Sequence, residues 1–312
     1  MTADSALRIV FMGTPVFAVS VLDAVFCAGY PVAGVFTQPD RPKNRGMKLT
    51  ASPVKQYALE KGIPVFQPAS FKREPEALET LRALAPDLIV VAAYGQILPQ
   101  SVLDVPRLGC INIHSSLLPK YRGAAPINWA ILNGETETGV TIMKMAPALD
   151  AGDIIAQRKT DIDPDETAEE LFHRMEKLGA ALLLEVIPAL ADGTAVFTPQ
   201  NDAESTYAPL LSRALSPLDW NRTAKELHNQ VRGLIPWPAA SAELNGVRFK
   251  IFRAAEAERH TDAAPGTLLS DRGKGIYIAC GGGSVLEILE LQAPGKKRMP
   301  AADYLRGHPN LL

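Results

Sequence analysis

The sequence has no long apolar run. Nowhere in its 312 residues is there a stretch near the roughly 18 consecutive apolar residues of a membrane-spanning helix, so no membrane partner is expected. Cysteine is scarce: Cys27, Cys110 and Cys280 are odd in number and far apart. They offer neither a disulfide framework nor metal-ligand spacing, and read as small apolar fillers in a reducing, cytoplasmic compartment with no metal site. The first eight residues lack a basic n-region, so no cleaved signal peptide is expected. Neither sign of charge dominates, with 32 Lys and Arg against 34 Asp and Glu. The balance is uneven along the chain. Residues 209–312 carry 14 basic against 10 acidic side chains, and residues 1–208 carry 18 against 24. A basic C-terminal part on an acidic chain hints at a polyanionic partner.

What is present reads as an α/β protein followed by a smaller β domain. Residues 7–12 and 32–37 are apolar strands on either side of a helix ending near residue 28. Short turns between them predict a right-handed βαβ unit and an open parallel sheet of Rossmann-like form. The first turn, Gly13-Thr14-Pro15, has one glycine where a dinucleotide fingerprint needs three, which excludes NAD on sequence grounds. Residues 88–93 are apolar throughout, as a strand buried on both faces should be. Thr167 to Glu170 is a capping box before a long helix to about residue 190. The expected domains are 1–190, a polar linker at 191–208, and 209–312. In the last, short spaced strands and the hairpin signal Asn245-Gly246 predict a small OB-like barrel.

Three stretches carry candidate chemistry. In Cys110-Ile111-Asn112-Ile113-His114 the isoleucines alternate with an amide and an imidazole. A period of two puts Asn112 and His114 on one strand face, able to hold a carbonyl oxygen and move a proton. Ser116-Leu117-Leu118-Pro119 follows in a turn. Residues 38–52 predict a structureless stretch in which Arg41, Lys43, Arg45 and Lys48 place four cations within eight residues. Such a stretch suits a phosphate backbone. Finally, Asp150 and Asp153 stand in a turn, where acids usually serve as turn formers.

These motifs occur in one order that resembles the methionyl-tRNA formyltransferases over nearly the whole chain. The resemblance rests on Phe11-Met12-Gly13-Thr14-Pro15, on Gln38-Pro39-Asp40-Arg41-Pro42 with Arg45-Gly46, on Ala93-Tyr94-Gly95 and on Asn112 to Pro119. It continues through Arg122-Gly123-Ala124-Ala125-Pro126-Ile127, Leu149-Asp150-Ala151-Gly152-Asp153-Ile154 and Pro236-Trp237-Pro238. It implies formyl transfer from 10-formyltetrahydrofolate to the methionine amino group of initiator tRNA by a monomer, without a metal. It implies that Asn112, His114 and Asp150 are catalytic. Asp150 would either stabilise the His114 cation or relay a proton through water. It further implies that Ser116, Leu117, Leu118 and Pro119 line the folate site and that Arg41, Lys43 and Arg45 meet the tRNA. The C-terminal domain would hold the tRNA body. The alternative is a folate-dependent formyltransferase or hydrolase acting on a small-molecule amine. Two positions depart from the family pattern: Ala148 stands where glycine is usual, and Ala151 replaces a threonine. Ala148 implies that the backbone there either does not adopt positive φ or does so under mild strain.

Overall fold

The structure, a computed structural model, describes residues 7–43, 48–269 and 275–308. Its contacts form two compact units. Unit 1 comprises the chain up to Gly123, Gly139–Thr160 and Phe172–Tyr207; unit 2 comprises Ala124–Thr138, Asp161–Leu171 and the chain from Ala208. The expected boundaries at 190 and 209 treat each domain as one continuous stretch, whereas both units are discontinuous.

In chain order the first elements are β1 (Ile9–Gly13), α1 (Val16–Cys27), β2 (Val32–Phe36), β3 (Arg41–Lys43), β4 (Lys48–Thr50), α2 (Pro53–Glu60) and β5 (Val65–Phe66). There follow α3 (Pro75–Ala83), β6 (Leu88–Ala92), α4 (Gln100–Leu103), β7 (Cys110–His114), β8 (Arg122–Gly123), α5 (Pro126–Leu132), β9 (Glu137–Lys144), β10 (Ile154–Asp161), α6 (Ala168–Ala191) and β11 (Tyr207–Ala208). The main sheet has the order β10-β9-β7-β6-β1-β2-β5. Strands β7, β6, β1, β2 and β5 run parallel. Alternation then sorts the side chains: Val10, Met12, Ile89 and Val91 join Phe36, Leu81 and Tyr94 in a buried cluster. On β7 the Ile113 face is covered by α6. A Cβ added to Gly179 would sit 3.0 Å from Ile113 and 3.4 Å from Val140, so the glycine is what lets the helix lie so close.

Two expectations need correction. The sheet is not wholly parallel, because β9 pairs with β7 antiparallel. A parallel return needs a crossover helix lying on the sheet. The helix between these strands, α5, belongs to unit 2 instead. Nor is the basic stretch structureless on either side of residues 44–47. β3 and β4 pair antiparallel, with Arg41 opposite Thr50 and Pro42 opposite Leu49. The reason lies at the feet of this hairpin. The Thr37 and Ser52 hydroxyls are 2.7 Å apart. The Lys55 ammonium donates to Asp40 and to Gln67, each at 2.7 Å. The Gln67 amide donates to Gln38 O and to the Asp40 carboxylate. The bonds from Lys55 and Gln67 hold Asp40 below the usual carboxylate range.

Unit 2 is built on α7 (Ala224–Gly233), β12 (Ala240–Leu244), β13 (Val247–Glu256), β14 (Leu268–Leu269), β15 (Ile276–Ala279), β16 (Val285–Gln292), β17 (Met299–Pro300) and α8 (Ala301–Gly307). The strands form one sheet, β12-β13-β16-β15-β14, with β17 also on β16. The expected turn is present: Asn245 and Gly246 take φ of 46° and 77° between the paired residues Leu244 and Val247. Phe249, Ile251, Ile276, Ile278, Leu286 and Ile288 pack with Leu227 and Val231 of α7 in one core. Thr223 and Glu226 complete the capping box that starts this helix. The α5 segment joins here because Asn128 donates to Gly233 O at 2.8 Å, and a Cβ on Gly233 would lie 3.1 Å from Leu132. Arg232 is nearly buried and donates to the carbonyls of Glu166 and Asp163, which draws in residues 161–171.

Candidate active site

His114 ends β7 at the carboxyl edge of the parallel strands, two residues after Asn112 on the same face. Opposite them on β9 stand Thr141 and Met143. The imidazole is 6% exposed. Its Nε2 lies 2.8 Å from Tyr121 O. A carbonyl only accepts, so Nε2 carries the proton in the neutral ring and Nδ1 is left as the base. Nδ1 faces Asp150 Oδ2 at 3.7 Å. That gap is too long for a hydrogen bond, but it leaves a carboxylate beside the atom where a proton would arrive.

Asp150 is set by its backbone. Its φ is 48°, in the left-handed region that costs a non-glycine residue roughly 1–2 kcal/mol. Oδ2 accepts from Gly123 N at 2.8 Å. Two residues on, a Cβ at Gly152 would lie 1.7 Å from Lys144 O, so only glycine fits. Ala148 does not take positive φ. The Gln200 amide donates to the carbonyls of Asp150 at 2.8 Å and Gly152 at 2.7 Å.

Asn112 is partly buried, and among the described residues its side chain has no hydrogen-bond partner. A half-buried amide at a sheet edge fits a carbonyl oxygen brought by a ligand. The turn after β7 is held from inside. Ser116 is fully buried and donates to Lys120 O at 2.7 Å. Leu118 is also buried, and its N–H donates to Thr141 Oγ1. Thr141 in turn donates to Ser116 O, while Gln157 donates to Leu118 O. Of the four residues in this turn, only Leu117 and Pro119 keep appreciable surface. Leu117 lies over Gly139, where an added Cβ would be 2.5 Å from its Cδ2.

Arg41 is exposed and donates to Gln38 Oε1 at 3.2 Å. Gln38 follows β2 and is tied to the same edge: its N–H donates to Thr14 Oγ1, and Thr14 donates to Tyr94 O. Three strand spacings separate β2 from β7 in the sheet order, about 14 Å. The hairpin therefore rises beside the His114 edge rather than from it. Lys43 lies in β3, and Arg45 lies outside the described residues. The structure thus brings Asn112, His114 and Asp150 together and puts Arg41 in the hairpin that follows β2. Sequence reasoning missed Tyr121 O, Thr141, Gln157 and Gln200. The first acts through its backbone, and the others stand in no motif. Among the described residues, no three His, Cys, Asp or Glu side chains gather as a metal site, and no helix is long and apolar enough to cross a membrane.

The profile of the formyl transferase family matches residues 7–187, and that of the formyl transferase C-terminal domain matches 211–309. A methionyl-tRNA formyltransferase of Trichlorobacter lovleyi is 50% identical over 305 residues, covering 98% of this chain and 95% of that protein. Another, of Pelobacter propionicus, is 51% identical over 98% of this chain and 94% of its own. Among solved structures, an N-formyltransferase from Helicobacter canadensis in complex with folinic acid and dTDP-3-aminofucose superposes with a TM-score of 0.69. It is 20% identical and covers 92% of this chain and 99% of its own, a likeness of fold. By these matches the chain belongs to the formyl transferase family and, within it, to the methionyl-tRNA formyltransferases.

Proposed function

We propose that Asn112, His114 and Asp150 are the groups through which this chain passes the formyl group of 10-formyltetrahydrofolate to the methionine amino group of initiator tRNA. The reaction is that of its family. The small-molecule alternative is not favoured, because the tRNA-specific relatives are about 50% identical and the sugar-type structure 20%. The observation that carries the residue assignment is the commitment of His114 Nε2 to Tyr121 O. It leaves Nδ1 as the base, beside a carboxylate.

Bound 10-formyltetrahydrofolate supplies an electrophilic formyl carbon. Asn112 donates its amide N–H to the formyl oxygen as negative charge develops there, a contribution typically on the order of 3 kcal/mol. His114 Nδ1 takes the proton that the attacking amine must lose; as the tetrahedral adduct collapses, the bond between the formyl carbon and its tetrahydrofolate nitrogen breaks and that departing nitrogen gains a proton in its place. Asp150 stabilises the resulting imidazolium. Its Oδ2 is already fixed by Gly123 N, which supports this role over a relay through water. Leu117 and Pro119 present apolar surface to the folate, while Ser116 and Leu118 hold the turn behind them. Arg41, Lys43 and Arg45 guide the acceptor end of the tRNA, and residues 209–312, with 14 basic against 10 acidic side chains, hold its body by phosphate contacts. Every residue named belongs to one copy, so the reading needs no second subunit. Three free cysteines support a reducing, cytoplasmic setting.

The test mixes the protein with 10-formyltetrahydrofolate and methionyl initiator tRNA and measures formylmethionine on the tRNA, with elongator methionyl-tRNA as control. Formylation of the initiator is expected, with affinity falling steeply as salt is added. A salt-independent response would contradict phosphate-led binding.

A further inference from the structure

Residues 191–208 read in sequence as a linker, yet all but Ala208 are built into unit 1, the unit that holds Asn112, His114 and Asp150. Thr198 exchanges two backbone hydrogen bonds with Ile154, each 2.8 Å. Thr206 Oγ1 accepts from the N–H of Tyr121, the residue whose carbonyl holds His114. Between these anchors, Gln200 points its amide at the Asp150 turn.

We infer that Gln200 is a positioning residue for Asp150, an inference that rests on the catalytic reading of Asp150. Its Nε2 bridges the carbonyls of Asp150 and Gly152, closing the three-residue turn in which Asp150 is held at positive φ. Its Oε1 accepts from Arg122 Nε at 3.1 Å and Nη2 at 2.8 Å. Arg122 in turn donates to Asp202 Oδ1 at 2.7 Å. The cation draws electron density from the amide oxygen and makes the amide N–H groups better donors to the two carbonyls. Asp202 balances the charge at the outer end. Glutamine suits this place because it donates on one side and accepts on the other. Glutamate would set an oxygen against two carbonyl oxygens, and lysine would have no acceptor for Arg122. The next residue in the chain after Arg122 is Gly123, whose N–H binds the Asp150 carboxylate. Gln200 therefore links both ends of the Asp150 arrangement, backbone and side chain.

The test is a double-mutant cycle of Gln200→Met with Asp150→Asn, reading kcat and KM with methionyl initiator tRNA and 10-formyltetrahydrofolate. Met keeps the volume of the side chain and removes its polar contacts. Gln200→Met alone should lower kcat about thirtyfold, since a displacement near 1 Å has effects of this order, and leave both KM values within about twofold. On an Asp150→Asn background it should cost less than about threefold more, because both changes disable the same group. Thermal unfolding and folate affinity show that each variant is folded. If Gln200→Met does not accumulate, Arg122→Lys keeps the charge beside Asp202 but lacks the two-donor fork, and should give a smaller loss in the same cycle. A kcat within threefold of the parent overturns the inference whatever Asp150→Asn does. So does full multiplication of the two effects, which would place Gln200 in another role. A slow Gln200→Met beside a normally active Asp150→Asn would overturn both this inference and the catalytic reading of Asp150.

Discussion

The His114 site and the basic hairpin follow two strands of the same sheet, β7 and β2, and are built in opposite ways. Around His114, the ring, Asp150 and the Leu117–Pro119 turn are each held by fixed partners: Tyr121 O for the ring, Gly123 N and Gln200 for the carboxylate and backbone carbonyl of Asp150, and Thr141 with Gln157 for the turn. The exception is the Asn112 amide, left to a ligand. In the hairpin the order is reversed. The feet are tied by Lys55, Asp40 and Gln67, while Arg41 and Leu49 above them are exposed. The difference fits the proposed division of labour. Proton transfer fails when atoms move by fractions of an ångström, which buried and braced groups prevent. A large polyanion is met by charge whose sign matters more than its placement, which suits exposed cations.

The largest effects should come from breaking the braced side. His114→Ala and Asp150→Asn are each expected to cut formyl transfer by two or more orders of magnitude, with tRNA affinity nearly unchanged. Single-turnover rates measured at saturating folate and tRNA check this, and near-normal rates in either variant would sink the mechanism. Next comes the arm. Arg45→Ala should raise KM for tRNA about tenfold, the scale of one lost charge-assisted contact, and leave folate binding alone. If folate affinity falls instead, the division between site and arm is wrong. Lys55→Ala loosens the foot of the hairpin without touching the site. A smaller rise is expected, about threefold in KM for tRNA at constant kcat, in line with a partly exposed ion pair. A drop in kcat would mean that the arm helps to set the chemistry.

The smallest expected effect lies in unit 2 and serves as a baseline. Burial and the Arg232 cation push His228 below the ordinary histidine range, although Asp165 lies 3.2 Å away. The unfolded chain then takes up this proton at a higher pH than the folded one. Stability from this group is present above the unfolded value near 6.5 and is lost as pH falls toward the folded value. A shift of about one or two degrees in the thermal midpoint is expected across that window. His228→Asn should flatten it, and an unchanged slope would assign the pH dependence to other groups.

How much of this was legible depends on whether a feature is local. The shared face of Asn112 and His114 follows from strand period alone, and the capping boxes at Thr167 and Thr223 from spacing. The Asn245-Gly246 turn follows from the φ that glycine and asparagine tolerate. The basic hairpin was misread because its strands are only three residues each and are held by Lys55 and Gln67, which lie outside the stretch. The antiparallel direction of β9 was not legible, because the helix before it packs in unit 2 and nothing in residues 126–132 announces that choice.

By itself the sequence determined which side chains are candidates for chemistry, where the strand that holds them lies, and the resemblance that names the reaction. These are properties of residue type and short spacing. Only the tertiary structure decided which ring nitrogen of His114 is left free to accept a proton, since that depends on a carbonyl seven residues away. Only it showed that a polar segment near residue 200 braces Asp150 across 50 residues of chain. Hydrogen bonds between distant segments obey geometry that no periodicity records, and the partners meet only when the sheet has brought them to one edge.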